Sequence, residues 1–186
     1  MKKTGSLKFT RTSLEGVYVI EPVKRRDSRG FFGRTFCARE FRERGLPTSF
    51  VQMNMSKSRK KGTLRGLHYQ KNPFAEDRLV RTTKGAVYDV VLDVRQESKT
   101  YGNYFAVELT DDNCKIVFIP KGCAHGFVTL ENDTEILYCV TQFYEPGFEA
   151  GVRFDDPVFS INWPVKPKVV TKKDLSWPDF SLQKKL

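Results

Sequence analysis

The chain has 186 residues and a formal net charge of +10, from 32 Lys and Arg against 22 Asp and Glu. Apolar residues make up 39% of the sequence and include 15 Phe, which is enough to fill one core and excludes wholesale disorder. No apolar run approaches the ~20 residues of a membrane span. No apolar stretch follows the charged first residues either, so we expect a cytoplasmic protein without a secretory signal.

In chain order, the first predicted element is a short helix over Ala38–Arg44, where Glu40 and Arg44 are four residues apart and Gly45 supplies a stop. A strand is predicted around His68, where apolar and polar residues alternate and Gly66 allows another group to approach the backbone closely. Further β-rich segments between turn sequences predict the strands Ala86–Val94, Tyr104–Thr110, Lys115–Pro120 and Thr134–Thr141.

The C-terminal stretch is punctuated by prolines at positions 157, 164, 167 and 178. This pattern predicts loops and a short helix wrapped on the body rather than a second domain. Short, regularly spaced strands are typical of an antiparallel barrel or sandwich. We therefore predict a single all-β domain over residues 1–186, with a barrel core over about 16–156 and a C-terminal wrap over 157–186.

The four cysteines form no C-x-x-C pair and have no His at zinc-ligand spacing, so we predict reduced thiols in or near the core: Cys37, Cys114, Cys123 and Cys139. The basic clusters are Lys24–Arg26, Lys57–Lys61 and Lys184–Lys185. They indicate either a solvated surface or an anionic partner. No zinc-finger, KH or RRM signature accompanies them, so we expect neither nucleic acid nor a membrane as partner, whereas a bound diphosphate needs only a few cations.

Only two histidines are present, His68 and His125, and either could be a structural residue with satisfied hydrogen bonds. The spacing Pro120-x-Gly122-x-x-His125 resembles the second motif of the cupin superfamily, whose small barrels have jelly-roll topology. Many cupins hold a metal with an H-x-H pair, a Glu and the His of this motif. This sequence has no H-x-H and no third His, so we predict a cupin-like jelly roll whose histidines bind no metal.

A more specific resemblance rests on eight motifs in order: Asp27–Phe32, Phe50–Ser58, Leu64–Gln70, Ile119–Phe127, Leu137–Tyr138, Arg153–Pro157, Ile161–Pro164 and Lys173–Asp174. Together they resemble the dTDP-4-dehydrorhamnose 3,5-epimerase family of nucleotide-sugar epimerases, from about Gly16 to Asp174. The resemblance implies a homodimer and a substrate that is a nucleotide-diphosphate-linked 4-keto-6-deoxy sugar.

The chemistry of such a sugar accounts for the residue types. The ketone acidifies the hydrogens on C3 and C5, so inversion needs a base on one face, an acid on the other and cationic support for the enolate oxygen. No redox cofactor or metal is required, and we predict none. By the resemblance, His68 is the base, Tyr138 the acid and Asp174 the partner that orients His68, while Asp89 is a second candidate for supporting the site.

The resemblance also implies a set of substrate-binding residues: Arg65, Arg78, His125, Lys173, Arg29, Phe32, Gln52 and Asn54. Arg65 suits the diphosphate or the enolate side of the sugar because its guanidinium is a fixed fork of donors. Positions 29, 32, 52 and 54 match residues that hold the nucleotide, some of them reaching in from the neighbouring subunit.

Two positions depart from the family pattern. Arg78 replaces a Lys near the sugar carbonyl, and Arg34 replaces a Glu near the nucleotide. Two alternatives therefore stay open within the class: a CDP- or GDP-linked substrate, or inversion of one centre only. A third alternative is a non-catalytic, sugar-nucleotide-binding cupin.

Overall fold

The computed structural model describes residues 6–181, and this part of the chain is almost entirely β-structure. It contains thirteen strands and two short helices. In chain order these are β1 Leu7–Arg11, β2 Tyr18–Pro22, β3 Arg25–Asp27, β4 Gly30–Phe32, α1 Ala38–Arg42, β5 Gln52–Ser58, β6 Leu64–Gln70, β7 Arg78–Lys84, β8 Ala86–Asp93, β9 Tyr104–Thr110, β10 Ile116–Ile119, β11 Cys123–Thr129, β12 Thr134–Val140, β13 Glu149–Gly151 and α2 Lys172–Leu175.

Two antiparallel sheets form a jelly-roll sandwich, as the sequence predicts. The six-stranded sheet has the order β1-β2-β10-β7-β12-β5, and the five-stranded sheet has the order β13-β6-β11-β8-β9. Strands β3 and β4 form a separate hairpin. Every strand pairs antiparallel with its neighbours in the sheets.

The space between the sheets is filled at one end and open at the other. The filled end is an apolar cluster that includes Val87 and Val91 of β8, Val117 of β10 and Ile136 of β12. Alternate side chains of β8, Val90 and Leu92, point to the other face. Strand β8 is buried on both faces, which explains why its sequence reads as an almost continuous apolar run.

The segment after Pro157 covers the outer face of the five-stranded sheet. Phe159 is buried there, and Ile161, Trp163 and Phe180 pack against the same apolar cluster. The indole Nε1 of Trp163 donates to the Phe154 carbonyl at 2.9 Å. This wrap brings α2 to the open end of the sandwich, beside β6.

The predicted elements differ from the structure mainly at their ends. Helix α1 stops at Arg42, two residues early, because the Leu46 N–H bonds back to the Phe41 carbonyl at 3.0 Å, with Gly45 at φ +69°. Strand β8 ends at Asp93, whose carboxylate accepts hydrogen bonds from Arg95, Ser98 and Thr100. The sheet also begins earlier than the expected core boundary near residue 16, because β1 pairs with β2.

All four cysteines are free thiols, with Cys114 and Cys123 buried. Burial raises the pKa of the Cys123 thiol to about 12. Among residues 6–181, no helix is long and apolar enough to cross a bilayer.

Candidate active site

A cavity of about 570 Å³ opens between the two sheets, and its wall combines residues from both. The six-stranded sheet contributes polar side chains from β5, β7 and β12, and the five-stranded sheet contributes side chains from β6, β11 and β13. Residues just before and within α2 close one side. The lining includes Gln52, Asn54, Ser56, Arg65, His68, Gln70, Glu76, Arg78, His125, Phe127, Tyr138, Tyr144, Glu149, Lys173 and Asp174.

His68 and Asp174 form a hydrogen-bonded pair in this cavity. Nε2 of His68 lies 2.5 Å from Oδ1 of Asp174, which is buried at the start of α2. When Nε2 donates to this carboxylate, Nδ1 is the ring nitrogen with a free lone pair. Burial lowers the pKa of His68 and outweighs the opposing attraction of Asp174. The imidazole is therefore neutral near pH 7 and can accept a proton.

Tyr138 projects from the opposite sheet. It lies on β12 opposite Asn54 of β5, and its side chain is half-buried in the cavity wall. Burial raises the pKa of its phenol, against the lowering effect of the Arg78 and Arg65 cations. Tyr138 is therefore protonated near neutral pH and can donate a proton. A basic and an acidic group thus face one cavity from its two walls.

A second His–Asp pair lies beside the first. His125 is opposite His68 in the β11–β6 register, and its Nε2 lies 2.7 Å from Oδ2 of Asp89. Both side chains are buried, and Oδ1 of Asp89 has no hydrogen-bond partner within the described part of the chain. Asp89 therefore supports His125, not His68.

Three cations, Arg65, Arg78 and Lys173, also line the cavity, and two of them are paired with cavity carboxylates. Arg78 donates to the His68 carbonyl and is paired with Glu76. The Lys173 ammonium contacts the Glu149 carboxylate. Arg65 donates to the Ser58 hydroxyl and the Lys57 carbonyl at the cavity edge, each at 3.3 Å.

The structure gathers nine of the eleven predicted site residues in this cavity: His68, Tyr138, Asp174, Arg65, Arg78, His125, Lys173, Gln52 and Asn54. Arg29 and Phe32 do not line the cavity of their own chain. They lie on the β3–β4 hairpin, where the Arg29 side chain is 88% exposed and pairs with Asp27, and Phe32 is 70% exposed. Arg34 is also outside the cavity lining and pairs with Glu40 at 3.2 Å.

Several cavity residues were not predicted from the sequence: Ser56, Gln70, Glu76, Tyr144 and Glu149. Ser56 and Gln70 carry a usable signal, since each is two residues beyond a predicted site residue on the same strand. Glu76 and Tyr144 lie in loops, where no period indicates which way a side chain points. Within residues 6–181, no three His, Cys, Asp or Glu side chains are grouped to hold a metal ion.

Comparison with known proteins agrees with this architecture. The family model described as dTDP-4-dehydrorhamnose 3,5-epimerase matches residues 11–181. The enzyme of that name from Methanothermobacter thermautotrophicus is 41% identical over 91% of this chain and 92% of its own length.

Solved structures of such enzymes superpose closely. That of dTDP-4-dehydrorhamnose 3,5-epimerase from Elizabethkingia anophelis has a TM-score of 0.91 and 37% identity, covering 95% of this chain and 97% of its own. The Legionella pneumophila dTDP-6-deoxy-D-glucose-3,5-epimerase, in complex with dTDP-4-keto-L-rhamnose, has a TM-score of 0.86 and 37% identity, covering 92% and 91%. The chain therefore belongs to the dTDP-4-dehydrorhamnose 3,5-epimerase family and is an enzyme of the epimerase class.

Proposed function

We propose that this enzyme inverts C3 and C5 of a dTDP-linked 4-keto-6-deoxy sugar, with His68 as base and Tyr138 as acid. The observation that carries this proposal is the placement of a neutral imidazole and a protonated phenol on facing walls of one cavity. Inversion at carbon requires this arrangement, because the proton leaves one face and arrives at the other. The complex of the Legionella relative with dTDP-4-keto-L-rhamnose supports the choice of nucleotide and sugar.

In the proposed reaction, Nδ1 of His68 removes the proton from the carbon beside the C4 ketone. The electron pair of the broken C–H bond moves into a carbon–carbon double bond, and the carbonyl oxygen becomes an enolate oxygen. Tyr138 then delivers its proton to the opposite face of that carbon as the ketone re-forms. The imidazolium loses its proton to solvent and the phenolate regains one, so the enzyme is unchanged.

The remaining cavity residues have roles that fit their charges. Arg78 is placed to stabilise the enolate oxygen with N–H donors, which is worth most in a cavity shielded from water. His125, held through Nε2 by Asp89, lines the cavity beside His68. Arg65 and Lys173 supply positive charge for the diphosphate. Gln52 and Asn54 offer amide donors and acceptors to the nucleotide end.

We also propose that the enzyme is a homodimer in which the β3–β4 hairpin of one subunit reaches the cavity of its partner. Arg29 and Phe32 do not line their own cavity, and an exposed Phe and an exposed Arg on one hairpin suit a base and a phosphate in a neighbouring site. A two-fold axis is the default symmetry for such an exchange.

The proposal is tested by incubating the enzyme in D₂O with dTDP-, CDP- and GDP-linked 4-keto-6-deoxyglucose and following C3 and C5 by NMR. We expect deuterium at both carbons of the dTDP sugar. Exchange at one carbon alone would favour a single-centre enzyme, preference for CDP or GDP would reassign the nucleotide, and binding without exchange would favour the non-catalytic alternative.

Two variants separate the base from the acid. His68→Asn should lose roughly 10²–10⁴-fold in turnover together with deuterium exchange. Tyr138→Phe should keep exchange with solvent but yield little inverted product, since the base still works while the opposite face lacks a donor. Normal epimerisation by Tyr138→Phe would reduce the tyrosine to a packing role.

A further inference from the structure

Glu76 is a cavity carboxylate to which the mechanism above gives no role. Its side chain is only 9% exposed, and that of its partner Arg78 is 13% exposed. Oε1 of Glu76 accepts a hydrogen bond from Nε of Arg78 at 2.9 Å, and Nη2 of Arg78 lies 2.7 Å from the same oxygen in an ion pair. Loss of either partner would leave the other charge shielded from water and unpaired, so the two side chains are held together.

Glu76 is itself held in place by Gln70. Its Oε2 accepts from the Nε2 amide of Gln70 at 3.0 Å, and the same amide also donates to the carbonyls of Phe74 and Phe143. Oε1 of Gln70 accepts from the backbone N–H of Glu145 at 2.8 Å. Gln70 therefore joins strand β6 to the two loops that border the cavity. Its hydrogen bond to Glu76 fixes the Glu76 carboxylate at the same point.

The consequence is a defined orientation of Arg78. Its Nη1 donates to the His68 carbonyl at 3.1 Å, so together with the Nε–Glu76 bond two of its five N–H donors are engaged in hydrogen bonds. Arg78 pairs with Val140 in the β7–β12 register, two residue pairs along from Tyr138 and therefore on the same side of the sheet. The guanidinium is thus close enough to act electrostatically on both His68 and Tyr138, and it keeps further N–H donors for the substrate.

We propose that Glu76 is a positioning residue for the epimerisation: it fixes the plane of the Arg78 guanidinium against the cavity wall and offsets part of its charge beside Tyr138. The N–H donors of Arg78 are then oriented toward the keto oxygen, whereas without Glu76 the guanidinium would be an unrestrained cation. This inference rests on the proposed function for its catalytic part, but its electrostatic part concerns the protein alone.

The electrostatic part follows from the groups around Tyr138. The titratable and charged groups facing it in the cavity are Arg65, His68, Glu76, Arg78, His125, Tyr144, Glu149, Lys173 and Asp174. Burial raises the pKa of Tyr138, the Arg78 and Arg65 cations lower it, and the Glu76 and Glu149 carboxylates raise it. Removing the charge of Glu76 leaves Arg78 unopposed, so the pKa of Tyr138 should fall.

The first test needs no substrate. Protein labelled with ¹³C at the tyrosine ring carbon that bears the hydroxyl is titrated by NMR, with Tyr138→Phe used to assign the resonance. We expect the pKa of Tyr138 to be lower in Glu76→Gln than in wild type and to be unchanged in Glu108→Gln, a matched loss of one carboxylate on the exposed face of β9. An unchanged Tyr138 titration in folded Glu76→Gln would overturn the proposal.

The second test measures turnover. We expect Glu76→Gln to lower kcat roughly tenfold with KM within about threefold, and to move the alkaline limb of the kcat profile to lower pH. In an Arg78→Gln background the same change should alter kcat less than about twofold, because the residue through which Glu76 acts is gone. Equal losses in both backgrounds would show that Glu76 is merely structural. A wild-type enzyme without exchange would refute the proposed function while leaving the tyrosine titration decisive.

Discussion

At the scale of single residues, the reactivity of His68 is set by two opposed effects. Burial lowers its pKa and attraction to Asp174 raises it, with burial the larger. A base buried without the carboxylate would be weaker, and a base fully exposed beside it would be protonated for more of the neutral range. Asp174 therefore keeps His68 basic and also fixes which ring nitrogen faces the substrate.

Asp174→Asn should separate these two contributions. The pKa of His68 should fall, since the raising influence of the carboxylate is removed, and His68 must be neutral to act. The acidic limb of kcat should therefore move to lower pH, while the maximal kcat falls roughly 10²–10⁴-fold because the imidazole is less basic and poorly oriented. The measurement is the pH profile of kcat, with Asp155→Asn as a control that removes an exposed carboxylate paired with Arg153. An acidic limb that does not move would contradict the role of Asp174.

The resemblance to the epimerase family, and not residue chemistry alone, predicted His68, Tyr138 and Asp174, since the sequence offers seven tyrosines. All three residues line the cavity. The supporting residues could not be predicted in this way. Glu76 is held in the cavity by contacts with Arg78 and Gln70. These contacts depend on how two loops fold over the cavity, and no local sequence pattern indicates them.

At the scale of the elements, β5 shows what the alternation of polar and apolar residues can and cannot predict. Its sequence alternates as an amphipathic strand should, but Gln52, Asn54 and Ser56 face the interior because the interior here is a polar cavity. Met53 and Met55, at 66% and 68% exposed, face outward. The alternation indicates that β5 is a strand. It does not indicate which face points inward, because the inward-facing polar residues line a cavity instead of an apolar core.

The register between β6 and β11 depends on a close contact of two glycines. A Cβ on Gly66 would lie 2.5 Å from the Gly126 Cα, and Gly66 has φ +121°. This agrees with the approach predicted from the sequence at Gly66. Because His68 and His125 flank the contact on their strands, the spacing of the two histidines is set by it.

Gly66→Ala should therefore destabilise the fold by about 3 kcal/mol or more and reduce activity, since both steric overlap and backbone strain are introduced. Gly147→Ala is the matched control: it also has positive φ, at +90°, but nothing lies within 4 Å of its Cβ position. We expect it to cost about 1–2 kcal/mol from strain alone. Equal urea-denaturation midpoints for the two variants would contradict the importance of the strand contact.

Helix α2 is too short to hold Asp174 in place by itself. A four-residue helix has no independent stability, so its position comes from its surroundings. Thr171 caps it by accepting from the Asp174 N–H at 3.2 Å. Beyond its end, the Trp177 ring lies directly over Gly151 and meets the His68 ring edge to face, at 6.2 Å between centroids.

We predict that Trp177→Ala lowers kcat between roughly tenfold and a hundredfold, because a displacement of Asp174 misaligns the base. Trp163→Ala is the control, as it removes an indole from the same wrap, where it packs on Phe154 and Tyr88 away from the cavity. It should lower the melting temperature with little change in kcat per folded molecule. If both variants lose activity only in proportion to folded protein, Trp177 does not position the dyad.

At the scale of the whole molecule, the two sheets of the sandwich carry different residues of the proposed reaction. The five-stranded sheet carries His68 and His125, and the six-stranded sheet carries Tyr138 and Arg78. Two walls held apart by one packed core place a base and an acid on opposite sides of whatever binds between them. The all-β class could be predicted from the spacing of strands and turns, but this assignment of residues to walls required the strand order.

The cavity and the β3–β4 hairpin together lead to the final prediction, which concerns how subunits share a site. If the hairpin reaches into the partner's cavity, a chain with His68→Asn still supplies a functional hairpin. A chain with Arg29→Ala and Phe32→Ala still supplies a functional cavity. Each variant alone should be nearly inactive at low substrate concentration, because every site in its dimer lacks one part.

Mixing the two after reversible dissociation should restore activity. Half of the dimers formed at random are mixed, and each mixed dimer has one complete site, so about one quarter of the wild-type activity should return for two-fold pairing. Light scattering checks that the species is a dimer, and mixing His68→Asn with Tyr138→Phe is the control, since these changes affect the same cavity. In that control, each mixed dimer still carries one defect in each cavity, so no activity should appear. Failure of the hairpin mixture to recover in verified mixed dimers would place Arg29 and Phe32 outside the partner's site.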